Sequence, residues 1–244
     1  MVPRFSVVIP ARNEAVLLPR LLDSIQRARV SFEQGPERVE VIVADNASTD
    51  GTAQLASDRG CRVVSVQRRA ISSVRNGGAD VASGELLAFV DADARIHPDT
   101  FNAIDRAMSS GRVVAGATGV ILERLSMGIG LTYALLMPIV WVTGLDTGVV
   151  FCRRADFLAV GGYRENLRFA EDVRFLWDMK KLGRKRGQKL ARVTSAQCLA
   201  STRKFDKYGD WHYLRLISLF IPWLFHSGRR MESFAQEYWY DDRG

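Results

Sequence analysis

Unbroken apolar runs that stop at a turn residue recur through the first half of the chain. Phe5–Ile9 stops at Pro10, Val39–Ala44 is followed by Asp45, and Leu86–Val90 is followed by Asp91, Ala92 and Asp93. Runs this short and this continuous predict strands buried on both faces. Cys61–Val66 and Val113–Thr118 predict two more. Between the runs, Leu18, Leu21, Leu22 and Ile25 recur at spacings of three and four and predict a helix from Glu14 to Ala28. Further helices are expected from Ser72 to Ala82, despite the Gly77-Gly78 pair, and from Pro98 to Ser109. Strands alternating with helices imply an α/β fold whose mostly parallel sheet is covered on both faces. Ligands of such sheets bind outside the carboxyl ends of the strands. Here that rim carries Pro10-Ala-Arg-Asn-Glu14, Asp45 and Asp91-Ala-Asp93.

Composition narrows the function classes. The chain has 244 residues, 47% hydrophobic and 25% charged, with 34 basic and 27 acidic side chains, so the formal charge is 34 − 27 = +7. Those proportions exclude wholesale disorder. With 20 glycines and 7 prolines, collagen-like and low-complexity architectures are excluded too. Cys61, Cys152 and Cys198 are scattered, so neither a disulfide framework nor a zinc site is supported. Residues 1–10 lack a basic stretch followed by a long apolar one, and no secretory signal is expected. The positive excess suits acidic partners in general. Basic residues are not interleaved with aromatics in a stripe, so nucleic acid is not expected as a partner.

The rim residues suggest a metal. Were the chain extended through 91–93, Asp91 and Asp93 would point to one side, and carboxylates about 6 Å apart repel by roughly 3 kcal/mol at an effective dielectric near 20. A hard divalent cation removes that repulsion, and magnesium is commonly held by one or two carboxylates plus substrate phosphates. The bland alternative is a solvated turn after a strand. Asp45–Thr52 reads equally as a turn in which Asp50 or Thr49 caps a helix starting near Thr52, with Asp45 able to accept a nucleobase N–H. The glycine-rich phosphate loops are absent: Gly128-Ile-Gly130 lacks the third glycine.

Taken in order, Phe5–Glu14, Val41–Thr52, Ser73–Glu85, Leu87–Asp93, Thr147–Arg154, Val160–Tyr163 and Ala170–Asp172 resemble a family 2 glycosyltransferase of the GT-A fold. The resemblance implies a Rossmann-like, mostly parallel central sheet flanked by helices, and inverting transfer of a sugar from a UDP- or GDP-type nucleotide-diphospho-sugar with Mg²⁺ or Mn²⁺. By position in the motifs, Asp45 contacts the base; Pro10, Ala11 and Glu14 line the nucleoside pocket; Arg75 sits beside base or phosphate. Asp91, Ala92 and Asp93 form the Asp-x-Asp element, with Asp91 and Asp93 on the metal. Asp172 is the catalytic base. Inversion needs a carboxylate to take the acceptor's proton, and the bland alternative for Glu171-Asp172 is an acidic first turn of a helix from Glu171 to Leu182. Ser201–Phe205 resembles the element that closes over the diphosphate, with Arg203 on phosphate; the alternative is a basic surface strand or loop. Arg95 stands where some lipid-phosphate sugar transferases carry a third metal ligand, which departs from that pattern.

The expected organisation is a GT-A catalytic domain over 1–195, with a nucleotide-sugar half over 1–119 and an acceptor half over 120–195. A C-terminal segment over 196–244 closes on phosphate and ends in an amphipathic helical extension. Leu125–Leu145 has no charge over 21 residues and approaches spanning length. Its glycines, Pro138 and flanking charges favour an acceptor-side wall, since a span would split the motifs at 91–93 and 171–172 across a membrane. The stretch from Trp211 to Phe225 is rich in aromatics and flanked by bases, as at a membrane interface or a dimer contact. Lys180–Lys189 would add attraction to anionic headgroups. The expectation is a cytoplasmic enzyme, peripheral on the inner face of the membrane, with a glycan or lipid acceptor. A sugar-phosphate nucleotidyltransferase and a non-catalytic nucleotide-sugar-binding membrane protein are the competing readings.

Overall fold

The computed structural model describes residues 2–143, 146–167 and 171–211. Among them, one sheet is built from β1 (Phe5–Ala11), β2 (Val39–Asp45), β3 (Arg62–Ser65), β4 (Leu86–Phe89), β5 (Val113–Leu122), β6 (Val150–Arg153) and β7 (Lys189–Ala200). The order across the sheet is β3-β2-β1-β4-β6-β5-β7. β1, β2, β3 and β4 run parallel, β7 runs parallel to β5, and β6 lies antiparallel between β4 and β5. The helices are α1 (Leu18–Val30), α2 (Thr52–Asp58), α3 (Ile71–Asp80), α4 (Thr100–Ser109), α5 (Met127–Thr143), α6 (Arg154–Val160), α7 (Glu171–Lys185) and α8 (Arg203–Tyr208).

Alternation along the strands splits the core in two. Phe5, Val7 and Ile9 face α1 and α4, where Phe5 meets Phe32 and Phe101 with ring centroids 5.4 and 5.1 Å apart. Val8, Leu87 and Phe89 face the other way, toward α3, α6 and α7. There Phe89, Phe157, Tyr163 and Phe175 form one aromatic cluster, tightest at Tyr163 and Phe175, 4.5 Å apart and stacked. Each such ring pair adds about 0.5–1.5 kcal/mol beyond its buried area. That packing fixes the first turns of α7 against the sheet.

Four local expectations are corrected. β1 does not stop at Pro10: Pro10 pairs in register with Ala44, and Ala11 with Asp45. The Val8 carbonyl accepts the Val90 N–H. By alternation Pro10 turns to that same side, beyond the last paired residue of β4, so its missing N–H leaves no ladder bond unmade. α1 begins at Leu18, after a turn in which the Glu14 carbonyl takes the Leu18 N–H, because Pro19 suits a first turn. The chain is not extended through 91–93: the Ala94 N–H closes a turn on the Asp91 carbonyl at 3.1 Å. Ser201–Phe205 is neither strand nor loop throughout, since α8 opens at Arg203.

The Gly77-Gly78 pair does not interrupt α3. A Cβ at Gly78 would stand 2.4 Å from Val8 Cγ1, and one at Gly77 2.6 Å from Val66 Cγ2, so the pair lets the helix press on the sheet. β7 carries the sheet through Ala200, so a division at residue 195 falls inside a strand. α5 is uncharged, yet Met127, Leu131 and Leu135, four residues apart on one face, are 84%, 47% and 52% exposed. Trp211 lies against Gly128 at its start. Among the described residues no helix is long and apolar enough to cross a membrane. The amphipathic stretch expected after Trp211 lies outside the described residues.

Candidate active site

The carboxyl ends of β2, β1 and β4 lie side by side, and the loops that leave β1 and β2 are sewn together. Asn46 N–H donates to the Ala11 carbonyl at 2.8 Å, Asn13 N–H to Ser48 Oγ at 3.0 Å, and Thr49 N–H to Asn13 Oδ1 at 2.9 Å. Glu14 N–H donates to Thr52 Oγ1 at 2.8 Å, and Ala15 N–H to Asp50 Oδ2 at 3.0 Å. Asn13 and Ala47 adopt φ of 51° and 54° to make these turns. Asparagine tolerates that region, whereas Ala47 costs on the order of 1 kcal/mol there. Burial works against the charge on Asp50. The Thr52 hydroxyl and the N–H groups of Ala15 and Thr52 outweigh it and hold the carboxyl below its usual range. The cap residue of α2 is Gly51, without a side-chain cap bond, rather than Asp50 or Thr49 as the sequence suggested; Asp50 instead accepts the Thr52 N–H from one position earlier and binds the β1 loop.

Asp45 is buried at the end of β2. Its Oδ2 takes the Ser48 N–H at 3.2 Å, while Oδ1 is buried with no hydrogen-bond partner among the described residues. An orphaned carboxylate oxygen costs about 1–3 kcal/mol unless a ligand satisfies it. Beside it, the Asn46 amide donates to the carbonyls of Val66 and Arg68, fixing the strand that leaves β3.

Two arginines organise the other carboxylates. Arg75, on α3, is 4% exposed. One terminal nitrogen lies 2.8 Å from Glu171 and 2.9 Å from Asp172; the other lies 2.9 Å from Asp91. Its guanidinium sits over the Tyr163 ring, 5.2 Å from the centroid. The contact with Asp172 is an ion pair without hydrogen-bond alignment, so Asp172 Oδ1 is buried with no hydrogen-bond partner among the described residues. Burial pushes the Asp172 carboxyl up to about 7; Arg75 opposes that shift, and the charges of Glu171 and Asp91 reinforce it. Arg203, at the start of α8, reaches both Glu14 oxygens at 2.9 and 2.7 Å, and its Nε lies 3.0 Å from Asp93. Five carboxylates thus face two guanidiniums, a local charge of 2 − 5 = −3.

Of the residues singled out in the sequence, Asp91, Arg75 and Asp172 form one cluster, and Asp93, Glu14 and Arg203 the next. Ala92 is buried in the turn between them, and Pro10 and Ala11 end β1 at the same rim. Arg95 turns away to Glu123 and pairs its backbone with Leu199. Among the described residues no set of three or more His, Cys, Asp or Glu forms a ready metal cage. Tyr163 and Asn76 lie within motifs that the sequence marked, Val160–Tyr163 and Ser73–Glu85, but no role was expected of either. Asn76 clasps the Tyr163 backbone through two bonds of 2.9 Å, and a Cβ on Gly162, at φ 68°, would strike Asn76 Oδ1 at 2.8 Å. The glycine pair ahead of an aromatic was the available signal.

A mostly parallel sheet with acidic side chains at its carboxyl rim defines an open α/β domain of the kind that places ligands outside the ends of its strands. The solved structures it resembles are of that class. S. aureus TarS 1-349 in complex with UDP-GlcNAc superposes with a TM-score of 0.63 at 20% identity, over 82% of this chain and 58% of that one. The mannosyltransferase PcManGT from Pyrobaculum calidifontis, in complex with GDP-Man and Mn²⁺, gives 0.63 at 23% identity, over 82% and 57%. These likenesses establish the GT-A fold. The profile of glycosyl transferase family 2 matches residues 6–127, half of the chain, and the chain belongs to that family. Validoxylamine A glucosyltransferase of Streptomyces hygroscopicus subsp. jinggangensis is 37% identical over 110 residues, 42% of this chain and 25% of that protein. The 4,4'-diaponeurosporenoate glycosyltransferase of Staphylococcus haemolyticus is 35% identical over 99 residues, 38% of this chain and 24% of that protein. The chain thus spans about a quarter of the length of these curated relatives.

Proposed function

We propose that the protein is a metal-dependent, inverting glycosyltransferase that moves a sugar from a UDP- or GDP-linked donor to an acceptor hydroxyl. The observation that carries this reading is the set of carboxylates from β1, β2, β4 and α7 on one rim, with Asp172 at a pKa of about 7. A general base works best with its pKa near the operating pH. Asp172 accepts the proton of the acceptor hydroxyl as that oxygen bonds to the anomeric carbon. The bond from that carbon to the diphosphate breaks on the opposite face, so the configuration inverts. Asp45 Oδ1 accepts a base N–H, and the sewn loops around Pro10, Ala11 and Glu14 hold the nucleoside. Arg203 exchanges Glu14 and Asp93 for the diphosphate, which a guanidinium grips in bidentate fashion.

The local excess of negative charge and the oxygen-only donor set of Asp91 and Asp93 fit Mg²⁺ or Mn²⁺ that also draws on substrate phosphates. Such an ion, when bound, supplies positive charge to the departing diphosphate. In this reading residues 1–119 serve the donor and 120–195 the acceptor. The names of the relatives include a 4,4'-diaponeurosporenoate glycosyltransferase and an undecaprenyl-phosphate 4-deoxy-4-formamido-L-arabinose transferase, which supports a lipid-linked or envelope-glycan acceptor. The exposed apolar stripe of α5, beside Trp211, then meets a lipid surface at the cytoplasmic face of the membrane. The test is to incubate the protein with UDP-glucose, UDP-GlcNAc or GDP-mannose, Mn²⁺ and polyprenyl-phosphate vesicles. Release of the nucleoside diphosphate is expected. Sugar 1-phosphate with a nucleoside triphosphate yielding pyrophosphate instead would establish the nucleotidyltransferase reading and overturn this one.

A further inference from the structure

We propose that Arg75 is a positioning residue that fixes Asp172, the proposed base, against Asp91 on the donor side, and is not a ligand of the donor. The inference rests on the role proposed above for Asp172.

Arg75 has few donors left to offer a ligand. A guanidinium carries five N–H groups in a rigid plane. One terminal nitrogen is engaged by Glu171 and Asp172, the other by Asp91, and one face is covered by the Tyr163 ring. Nε is buried, with no hydrogen-bond partner among the described residues. The side chain as a whole is 5% exposed. A phosphate or base would have to displace carboxylates from a closed site to reach it. By contrast Arg203, whose side chain is 33% exposed, sits in the open part of the rim.

The guanidinium plane connects two distant parts of the chain. Asp91 belongs to the turn after β4, whereas Glu171 and Asp172 open α7, and 80 residues separate the two groups in the chain. Through one rigid fork, the distance from the donor-side carboxylate to the base becomes a property of a single side chain. The fork is itself well anchored. Gly77 and Gly78 seat α3 directly on Val66 and Val8, and Asn76 clasps Tyr163 from the residue next to Arg75. The Tyr163 ring under the guanidinium is in turn stacked on Phe175 of α7. Positions set by packed elements are held to within fractions of an ångström, and a misplacement near 1 Å can cost about 100-fold in rate. Lysine cannot replace this function, because an ammonium is a point charge without the planar fork.

The test uses Arg75→Lys in the full chain, with three readouts. In calorimetric titrations with UDP and GDP in the presence of Mn²⁺, the variant should bind within about threefold of the wild type; a loss of thirtyfold or more assigns Arg75 to the donor and overturns the proposal. In release of nucleoside diphosphate from UDP-GlcNAc or GDP-mannose, kcat should fall about 100-fold with the donor KM within threefold; an unchanged kcat overturns it. The third readout needs neither ligand nor turnover. In metal-free protein, Arg75→Lys and Asp172→Asn, singly and together, should shift Tm non-additively, and strict additivity overturns the proposal even if the wild type accepts none of these donors. Should Arg75→Lys fail to fold, Glu171→Gln takes its place, since it leaves Arg75 intact and removes one of its partners. Its shift should then be non-additive with Asp172→Asn, kcat should fall about fivefold at constant donor KM, and an additive, fully active variant overturns the proposal.

Discussion

The two ends of the sheet solve the same electrostatic problem in opposite ways. At the amino ends of β1 and β2, Ser6 stands in register with Glu40. One Glu40 oxygen accepts the Ser6 hydroxyl, the Ser83 N–H and hydroxyl at 2.7 and 2.8 Å, and the Gly84 N–H at 3.0 Å. Burial disfavours that charge, and these donors outweigh it, so the Glu40 carboxyl falls below its usual range. Arg4 lies between Asp105 and Glu85. At the carboxyl ends, carboxylates outnumber guanidiniums, Asp45 and Asp172 keep buried oxygens without hydrogen-bond partners among the described residues, and burial pushes the Asp172 carboxyl up to about 7. The lower end satisfies its charges internally, whereas the upper end leaves charge that a ligand completes in the proposed function. Sites that break local rules are where function is expected.

The comparison breaks most visibly in turnover. Asp172→Asn should lower nucleoside diphosphate release about 1,000-fold while calorimetry finds UDP or GDP binding within twofold of the wild type. Full activity in that variant removes Asp172 from the reaction. Next in size, Asp91→Ala combined with Asp93→Ala should weaken Mn²⁺-dependent nucleotide binding about 100-fold, and an unchanged titration would remove these carboxylates from the metal.

Stability sharpens the contrast. The folded pKa of Asp172 lies above its unfolded value, so stability is full below the usual carboxylate range and is lost progressively as pH rises from there to about 7. In EDTA, Asp172→Asn should therefore raise Tm by about 3 °C at pH 8 and barely change it at pH 3.5. An equal shift at both pH values would contradict the raised pKa. Glu40 has the opposite sign: its folded pKa is depressed, so its contribution is present at neutral pH and fades as pH falls below the usual carboxylate range. Glu40→Gln should cost about 1 kcal/mol at pH 7, less at pH 3.5, and leave kcat untouched.

The upper rim was legible in outline because apolar runs ending in Pro10, Asp45 and Asp91 are a local signal. What escaped depended on distant partners. β7 alternates poorly, with only Val193, Ala196 and Cys198 buried, and its register against β5 slips between Thr118 and Val120, so no clean period marks it. β6 is four residues long, and nothing local tells a buried antiparallel strand from a parallel one. Asp91 and Asp93 were expected to share one side of an extended chain; the turn at Ala92 instead gives each its own arginine. Arg75 read as a donor contact by its place in a motif. Its partners lie 16, 96 and 97 residues away, beyond what spacing can reveal.

The antiparallel strand β6 is bonded to β4 along one edge and to β5 along the other. The portions before and after residue 119 are therefore welded into one plate, and no seam exists about which they could swing like jaws. In the proposed reaction, substrates would then come and go past the periphery of that plate, where α8 carries its arginine.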